Sequence, residues 1–160
     1  MEHIETKIEK VLFYRKHLDS IFRDFTTFGG APFFGLMMLF ALLFWQIELF
    51  GKLLFGFVFT IVITIIIRRF YFKERPRHEE HHNTLEKLDA SSFPSLHTAR
   101  AVFLALIFGF MFPGLLMSLV LVVLTIFTAF SRIYLKRHDW WDLLGGAVLG
   151  VVAYGIVLLF

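Results

Sequence analysis

Residues 131–142 hold the side chains best suited to chemistry: Ser131-Arg132 is followed by His138 and then by Asp142. A carboxylate four residues from an imidazole can fix its tautomer and leave the other nitrogen free to attack. The guanidinium of Arg132 has the planar geometry that matches phosphate oxygens. Because a lone His-x-x-x-Asp pair is usually structural, this stretch is informative only together with two polar clusters upstream.

The first upstream cluster contains Arg68 and Arg75-Pro76, at the end of a long apolar run. An arginine at a membrane edge is costly unless it meets an anion, and one bound phosphate would satisfy Arg68, Arg75 and Arg132 together. The other nearby bases are interpreted as contacts to lipid headgroups: Arg69, Lys73, Arg77, Lys136 and Arg137.

The second upstream cluster is Pro94-Ser95-Leu96-His97. Pro94 suits the first turn of a helix and Ser92 suits its cap, so a helix is predicted to begin here. Ser95 and the backbone near Leu96 would then donate to phosphate at the helix N-terminus. His97 lies within one turn of that point and could hand a proton to a leaving oxygen.

Composition indicates an integral membrane protein, since 58% of the 160 residues are hydrophobic, against roughly 45–50% in soluble domains. The chain has no Cys, which excludes disulfides, thiolate catalysis and thiolate metal sites. Its net charge of +3 is too small to indicate a nucleic-acid partner. One domain is expected, over residues 1–160.

Apolar runs near the length of a bilayer span predict an all-α bundle of about five transmembrane helices: residues 32–50, 52–70, 94–112, 114–131 and 141–160. Gly51-Lys52 and Pro113-Gly114 are predicted to form the tight turns of antiparallel neighbours. Gly146, Gly150 and Gly155 would allow close approach of backbones in the last span.

Residues 1–28 show the periodicity of an amphipathic helix with many charges on its opposite face. The segment is predicted to lie in the membrane interface, ahead of the bundle formed by residues 29–160. The alternative is a helix that packs on the bundle or on a partner.

Following the spans back and forth places the three polar clusters on the same side as the N-terminus. All Lys and Arg residues except Lys52 and Arg100 also fall on that side. The positive-inside rule therefore predicts a multi-pass protein of the cell membrane whose site faces the cytoplasm.

Three further features have open interpretations. The His78–His82 loop could bind a divalent metal, which would favour a metal-binding or transport protein, or it is a solvated loop. Arg100 is interpreted as structural or as support for the site, paired with Asp142 or Glu48. Trp140 and Trp141 are assigned to an interfacial aromatic belt.

The three clusters resemble the signatures of the type 2 phosphatidic acid phosphatase superfamily, which includes lipid phosphate phosphatases, glucose-6-phosphatase and vanadium haloperoxidases. The signatures are Lys-x6-Arg-Pro, Pro-Ser-Gly-His and Ser-Arg-x5-His-x3-Asp. The chain has them in that order as Arg68-x6-Arg75-Pro76, Pro94-Ser95-Leu96-His97 and Ser131-Arg132-x5-His138-x3-Asp142.

The resemblance implies a hydrolase that removes phosphate from a lipid phosphate without a metal or other cofactor. His138 would be the nucleophile that forms a phosphohistidine, Asp142 would orient it, and His97 would be the general acid. The phosphoryl oxygens would be held by Arg68, Arg75, Ser95, the Leu96 backbone and Arg132.

Two departures from the signatures bear on activity. Arg68 replaces Lys and keeps the charge. Leu96 replaces Gly, which requires an ordinary backbone angle at that residue and puts the shape of the phosphate cradle in question. A non-catalytic protein that binds lipid phosphates is the alternative with the same fold. Phosphatidic acid, phosphatidylglycerol phosphate and polyprenyl diphosphate all remain candidate substrates.

Overall fold

The structure, a computed structural model, describes residues 2–76 and 90–159. The regular elements of that part of the chain are all helices: α1 (Glu2–Thr26), a 3-10 turn (Thr27–Gly29), α2 (Ala31–Leu43), α3 (Ile47–Phe70), α4 (Leu96–Met111), α5 (Leu115–Tyr134) and α6 (Trp140–Val157). The predicted all-α membrane bundle is confirmed.

Three of the described helices, α3, α5 and α6, are long and apolar enough to cross a membrane alone. Residues Leu12–Gly29 and α2, which meet at a bend of 43°, are together long and apolar enough to form a fourth span. Helix α4 is apolar but has only 16 residues. The described residues therefore meet the length test in fewer places than the five spans predicted.

The predicted turn at Gly51-Lys52 is wrong. The chain breaks instead after α2, where Trp45 has a positive φ of 54°, and both Gly51 and Lys52 lie inside α3. Lys52 pairs with Glu48 one turn earlier, and this orientation of an i, i+4 ion pair supports a helix. The other predicted turn, Pro113-Gly114, is confirmed because it separates α4 from α5.

The centre of the bundle is packed with buried aromatic and aliphatic side chains. Phe34 of α2, Leu53 of α3 and Phe103 of α4 are fully buried. The Phe103 ring lies directly over Gly56 of α3, so that a methyl group at Gly56 would overlap the ring. Close packing of α3 against α4 sets the distance between the polar ends of these helices.

Helix α6 packs against α4 through two of the three glycines predicted to allow close approach. A Cβ atom at Gly146 would overlap the carbonyl oxygen of Ser95, and one at Gly150 would overlap that of Ala99. The prediction is wrong for Gly155, because a Cβ atom added there would have no atom of a neighbouring helix within 4 Å. The contact is therefore tightest near the start of α4.

The end of α1 packs on α5, as the bundle-packed alternative requires. Phe22 stacks on Tyr134 and Phe25 stacks on Phe127, while Thr128 Oγ1 donates to the Phe25 carbonyl over 2.9 Å. The preceding apolar residues of α1 include the exposed Leu12, Leu18 and Ile21. The interfacial position predicted for residues 1–28 stays a prediction.

The unequal surroundings of Gly150 and Gly155 make a matched test of the α4–α6 contact. Gly150→Ala should lower the temperature at which the detergent-solubilised protein loses its monodisperse peak, because overpacking costs about 1–3 kcal/mol. Gly155→Ala should leave that temperature unchanged or raise it, since Ala favours a helix by about 1 kcal/mol over Gly. Equal shifts in the two variants would show that the contact is not tight.

Candidate active site

The three polar clusters meet at one end of the bundle, where α3 and α5 end and α4 and α6 begin. Arg68 Nη2 at the end of α3 donates to the Pro94 carbonyl over 3.2 Å. The Ser95 amide donates to the Asp142 carbonyl over 2.9 Å. These contacts join segments that are far apart in the chain, as the sequence predicted for a single site.

His138 and Asp142 come together, although they do not share a helical face as predicted. His138 lies in the turn before α6, and Asp139 is the N-cap of that helix. Asp142 is in the first turn and forms a capping box with Asp139, in which each side chain accepts from the backbone amide of the other residue. His138 Nδ1 lies 3.6 Å from Asp142 Oδ2, slightly beyond hydrogen-bond distance.

The interpretation of Lys73 as a lipid-headgroup contact is wrong. Its Nζ lies 2.6 Å from Asp139 Oδ2 and 2.8 Å from Asp142 Oδ1, so it bridges both carboxylates of the capping box. The backbone around it is held by Ser92, whose amide donates to the Lys73 carbonyl over 2.8 Å. Asp142 is fully buried, and a cation beside it compensates the cost of that burial.

Electrostatics keep Lys73 charged and His138 neutral near neutral pH. Partial burial lowers the pKa of Lys73. Its hydrogen bonds to Asp139 and Asp142, together with their negative charges, raise the pKa by more, so the net pKa is above its ordinary value. Burial lowers the pKa of His138; the Asp142 carboxylate opposes this, whereas the Arg132 and Arg75 charges add to it, and the net pKa is below the ordinary value. A neutral imidazole has the lone pair that a nucleophile needs.

The N-terminus of α4 differs from the prediction by two residues. Ser95, not Ser92, is the N-cap, and its Oγ accepts from the backbone amide and the hydroxyl of Thr98. Pro94 precedes the helix and follows a cis peptide bond, while the Ser92 hydroxyl donates to the Glu74 carbonyl. Leu96 is the first residue of α4 and has an ordinary negative φ, since the described non-glycine residues with positive φ are Trp45 and Lys136.

The predicted phosphate-binding arginines lie in a buried, positively charged environment. Arg68 and Arg132 are each only 9% exposed, and the Arg132 Nε has no hydrogen-bond partner among the described residues. The Arg75 charge acts on both Arg132 and His138. The charges of Arg132 and Arg75 also act on His97, which completes the predicted group.

Arg100 is a further buried cation near this group. Neither predicted partner is paired with it in the described part of the chain: Asp142 contacts Lys73, and Glu48 contacts Lys52. Its guanidinium instead lies 4.5 Å from the centre of the Phe57 ring. Arg100 is close enough for its charge to act on His97.

Ser131 anchors α5 to α1. Its fully buried hydroxyl lies 2.7 Å from Thr26 Oγ1 and donates to the Thr128 carbonyl over 2.7 Å. The adjacent Arg132 carbonyl accepts from the His138 amide over 3.2 Å. The Ser-Arg pair therefore links α1 to the turn that carries His138.

Two predicted features fall outside the described residues, namely the His78–His82 loop and Arg77. Within residues 2–76 and 90–159 there is no group of three or more His, Cys, Asp or Glu side chains placed to hold a metal ion. Trp140 and Trp141, assigned to an aromatic belt, are 69% and 70% exposed.

Sequence reasoning missed two residues of the site, Lys73 and Asp139. A signal for Asp139 was present, because an acidic residue three positions before Asp142 fits a helix N-cap. Lys73 had no comparable signal, since its partners lie 66 and 69 residues away.

Comparison with solved structures finds two membrane phosphatases with a similar fold. LpxE from Aquifex aeolicus superposes with a TM-score of 0.73 at 23% identity, covering 89% of this chain and 86% of LpxE. A PAP2-type phosphatidylglycerolphosphate phosphatase from Bacillus subtilis superposes with a TM-score of 0.69 at 21% identity, covering 88% and 75% of the two chains. These structures show that the fold is shared.

The family model of the PAP2 superfamily matches residues 49–160, which include all three polar clusters. Since the match covers more than half of the chain, the protein belongs to the PAP2 superfamily.

Proposed function

We propose that this protein is a membrane lipid phosphatase that works through a phosphohistidine and without a metal ion. The observation that carries the proposal is the meeting of the buried His138, 3.6 Å from Asp142, with Arg68, Arg75 and Arg132, which stand at the positions of the phosphate-binding cations in the family signatures. The fold it shares with LpxE and with a phosphatidylglycerolphosphate phosphatase supports the same class of reaction.

In the proposed reaction, His138 attacks phosphorus through the ring nitrogen that does not face Asp142, and the bond from phosphorus to the lipid oxygen breaks. His97 gives a proton to that oxygen as the alcohol leaves, and the negative charge of the bound phosphate favours the protonated imidazole that this step requires. Water then gives a proton to the now neutral His97 and attacks the phosphohistidine, the phosphorus–nitrogen bond breaks, and inorganic phosphate leaves with His138 restored. The negative charge on the transferring phosphoryl group is stabilised by Arg68, Arg75 and Arg132, with Ser95 and the Leu96 amide as further donors.

Leu96 in place of glycine is compatible with this role. Its backbone conformation is one that any residue adopts, so no glycine is needed there to avoid strain. Its amide is in the first turn of α4, where amides have no partner within the helix. This favours the catalytic reading over a non-catalytic lipid-phosphate binding protein.

An apolar groove supports a lipid substrate. Its volume is about 570 Å³, and it runs between α3 and α6 with Phe93 at one end, next to Pro94 and Ser95. Ile63 and Ile67 line it from α3, and Leu144 and Val148 line it from α6. An acyl or prenyl chain in this groove would place its phosphate near the α4 N-terminus, which fits phosphatidic acid, phosphatidylglycerol phosphate and polyprenyl diphosphate alike.

The site is proposed to face the cytoplasm from the cell membrane, following the charge asymmetry of the chain. A reporter enzyme that is active only in the cytoplasm, fused to the N-terminus, tests this orientation. If this fusion is inactive and a periplasmic reporter at the same position is active, the site faces away from the cytoplasm and the proposed orientation is wrong.

The central test measures phosphate release by the purified protein from a panel of lipid phosphates in excess EDTA. The wild type should release phosphate. With a substrate whose terminal phosphate is radiolabelled, less label should stay bound to the protein after acid quenching than after alkaline quenching, because a phosphohistidine is acid-labile. His138→Ala should reduce release by at least about 10³-fold, since it removes the nucleophile. Release that persists in His138→Ala, or that requires a metal, contradicts the mechanism.

Lys73→Met should lower kcat by about 10–100-fold, the loss that is typical when a side chain supporting a functional residue, here Asp142, is removed. The change leaves buried Asp142 without its cation and loosens its hold on His138. Lys73→Arg should recover most of the activity because it keeps the charge. Lys52→Met is the matched control, since Lys52 pairs with the exposed Glu48 at the other end of α3, and equal losses in the two methionine variants would contradict a specific role for Lys73.

Val148→Trp tests the apolar groove. The larger side chain should fill part of it and raise KM about tenfold for a long-chain lipid phosphate, while hydrolysis of water-soluble p-nitrophenyl phosphate stays within about twofold. Val151→Trp is the control, because Val151 is equally exposed on α6 but does not line the groove. If both substrates are affected alike by Val148→Trp, the groove does not hold the lipid chain.

A further inference from the structure

The short 3-10 turn Thr27–Gly29, which follows α1, lies against the backbone of His97. Its residues Phe28 and Gly29 are buried. A Cβ atom added at Gly29 would overlap the His97 carbonyl oxygen and would lie 3.1 Å from the His97 Cα atom. Only glycine therefore lets the turn come so close to the residue that we propose as the general acid.

Glycine is needed at residue 29 for space and not for backbone conformation. No described glycine has a positive φ, so alanine could adopt the backbone angles of Gly29 without strain. Gly35 on α2 gives a contrast, because a Cβ atom added there would have no atom of a neighbouring element within 4 Å. The obstacle to a side chain at residue 29 is the backbone of His97.

The His97 side chain has little else to hold it in place. The His138 imidazole faces Asp142, whereas the His97 imidazole has no hydrogen-bond partner among the described residues. Its position therefore depends on its rotamer and on where the first turn of α4 lies. A backbone segment that packs on residue 97 itself can set that position.

The turn is anchored on the end of α5. Thr128 Oγ1 of that helix donates to the Phe25 carbonyl over 2.9 Å, and Thr26 Oγ1 lies 2.7 Å from Ser131 Oγ. Ser131 directly precedes Arg132, one of the proposed phosphate-binding residues. Residues 25–29 therefore form a bridge from the helix end that carries this arginine to the start of α4.

This bridge lies outside the part of the chain that matches the family. The PAP2 family model covers residues 49–160, whereas the bridge is formed by residues 25–29. The family motifs therefore leave out a segment that contacts one of their own histidines.

We propose that Gly29 is a positioning residue for His97, and that its turn holds the general acid opposite the phosphate-binding arginines. The inference rests on the proposed function, because it concerns the proton that His97 gives to the leaving oxygen. A methyl group at residue 29 would move the His97 backbone by on the order of 1 Å, and a misplacement of that size can cost about 10²-fold in rate.

The test compares two soluble substrates of similar shape that differ in their need for a general acid. Phenyl phosphate releases a phenol that needs a proton as it leaves, whereas p-nitrophenyl phosphate releases a stable anion. Gly29→Ala should lower kcat/KM for phenyl phosphate about 10–100-fold and change kcat/KM for p-nitrophenyl phosphate by less than about threefold. The quantity kcat/KM covers the steps up to departure of the leaving group, so slow hydrolysis of the phosphohistidine does not affect it.

Gly35→Ala is the matched control, because it adds the same methyl group where no neighbouring atom is displaced. It should change kcat/KM for either substrate by less than about twofold. Equal losses for the two substrates in Gly29→Ala would indicate general damage to the site and would overturn the proposal.

A double-variant cycle shows whether Gly29 acts through His97. When His97→Ala is already present, Gly29→Ala should cause no further loss of kcat/KM for phenyl phosphate, because both changes affect the same proton transfer. If the full 10–100-fold loss persists in that background, Gly29 acts on something else and the positioning role is wrong.

Thr128→Val provides a second variant in case Gly29→Ala does not fold. It removes the hydrogen bond that anchors the turn, and kcat/KM for phenyl phosphate alone should fall about three- to fivefold. Thr128→Ser should restore the wild-type value. Thr125→Val is the control, because the Thr125 hydroxyl donates to the Leu121 carbonyl within α5. Similar effects in the two valine variants would count against the turn.

The wild-type protein tells the two proposals apart. If it hydrolyses its substrates and neither Gly29→Ala nor Thr128→Val discriminates between the leaving groups, the positioning role alone is overturned. If it hydrolyses no lipid phosphate and neither aryl phosphate, the proposed function is overturned and the positioning role falls with it.

Discussion

The fully buried carboxylate of Asp142 is the point on which the site depends. One carboxylate oxygen contacts the Lys73 ammonium, and the other accepts from the Asp139 amide and lies 3.6 Å from His138 Nδ1. The backbone carbonyl of Asp142 accepts from the Ser95 amide. One residue therefore ties together the segment after α3, the start of α4 and the turn before α6. A buried carboxylate without these partners would cost several kcal/mol, so the arrangement holds as a unit.

Helix packing brings the partners of Asp142 within reach. Gly146 and Gly150 let α6 approach the α4 backbone closely, which places the Asp142 carbonyl opposite the Ser95 amide. The Arg132 carbonyl, at the end of α5, holds the His138 amide. His138, the proposed nucleophile, is thus positioned by backbone contacts between helices, and its side chain needs only the final orientation by Asp142.

Much of the site could be predicted because its residues fall in three short motifs at the ends of apolar runs. Lys73 could not, since a lysine near a membrane edge looks the same in sequence whether it meets lipid or a carboxylate 69 residues away. The turn at Gly51-Lys52 failed for a related reason. Glycine usually indicates a turn, but here Gly51 lies within a helix that the Glu48–Lys52 ion pair supports. The chain bends instead at Trp45, a residue type that does not favour turns.

The balance of charge at this end of the bundle explains how such a site can work without a metal ion, as we propose. Both carboxylates of the capping box are already paired, because Asp139 and Asp142 contact Lys73 and each accepts from the backbone amide of the other. Arg132 and Arg100 are buried close to His97, and neither forms an ion pair with a described residue. In surroundings of low polarity, this excess of positive charge is unfavourable until a dianionic phosphate enters. In the proposed mechanism, this end of the bundle is less stable without substrate and binds the charge that develops on the phosphoryl group, the part that cations play in metal-dependent phosphatases.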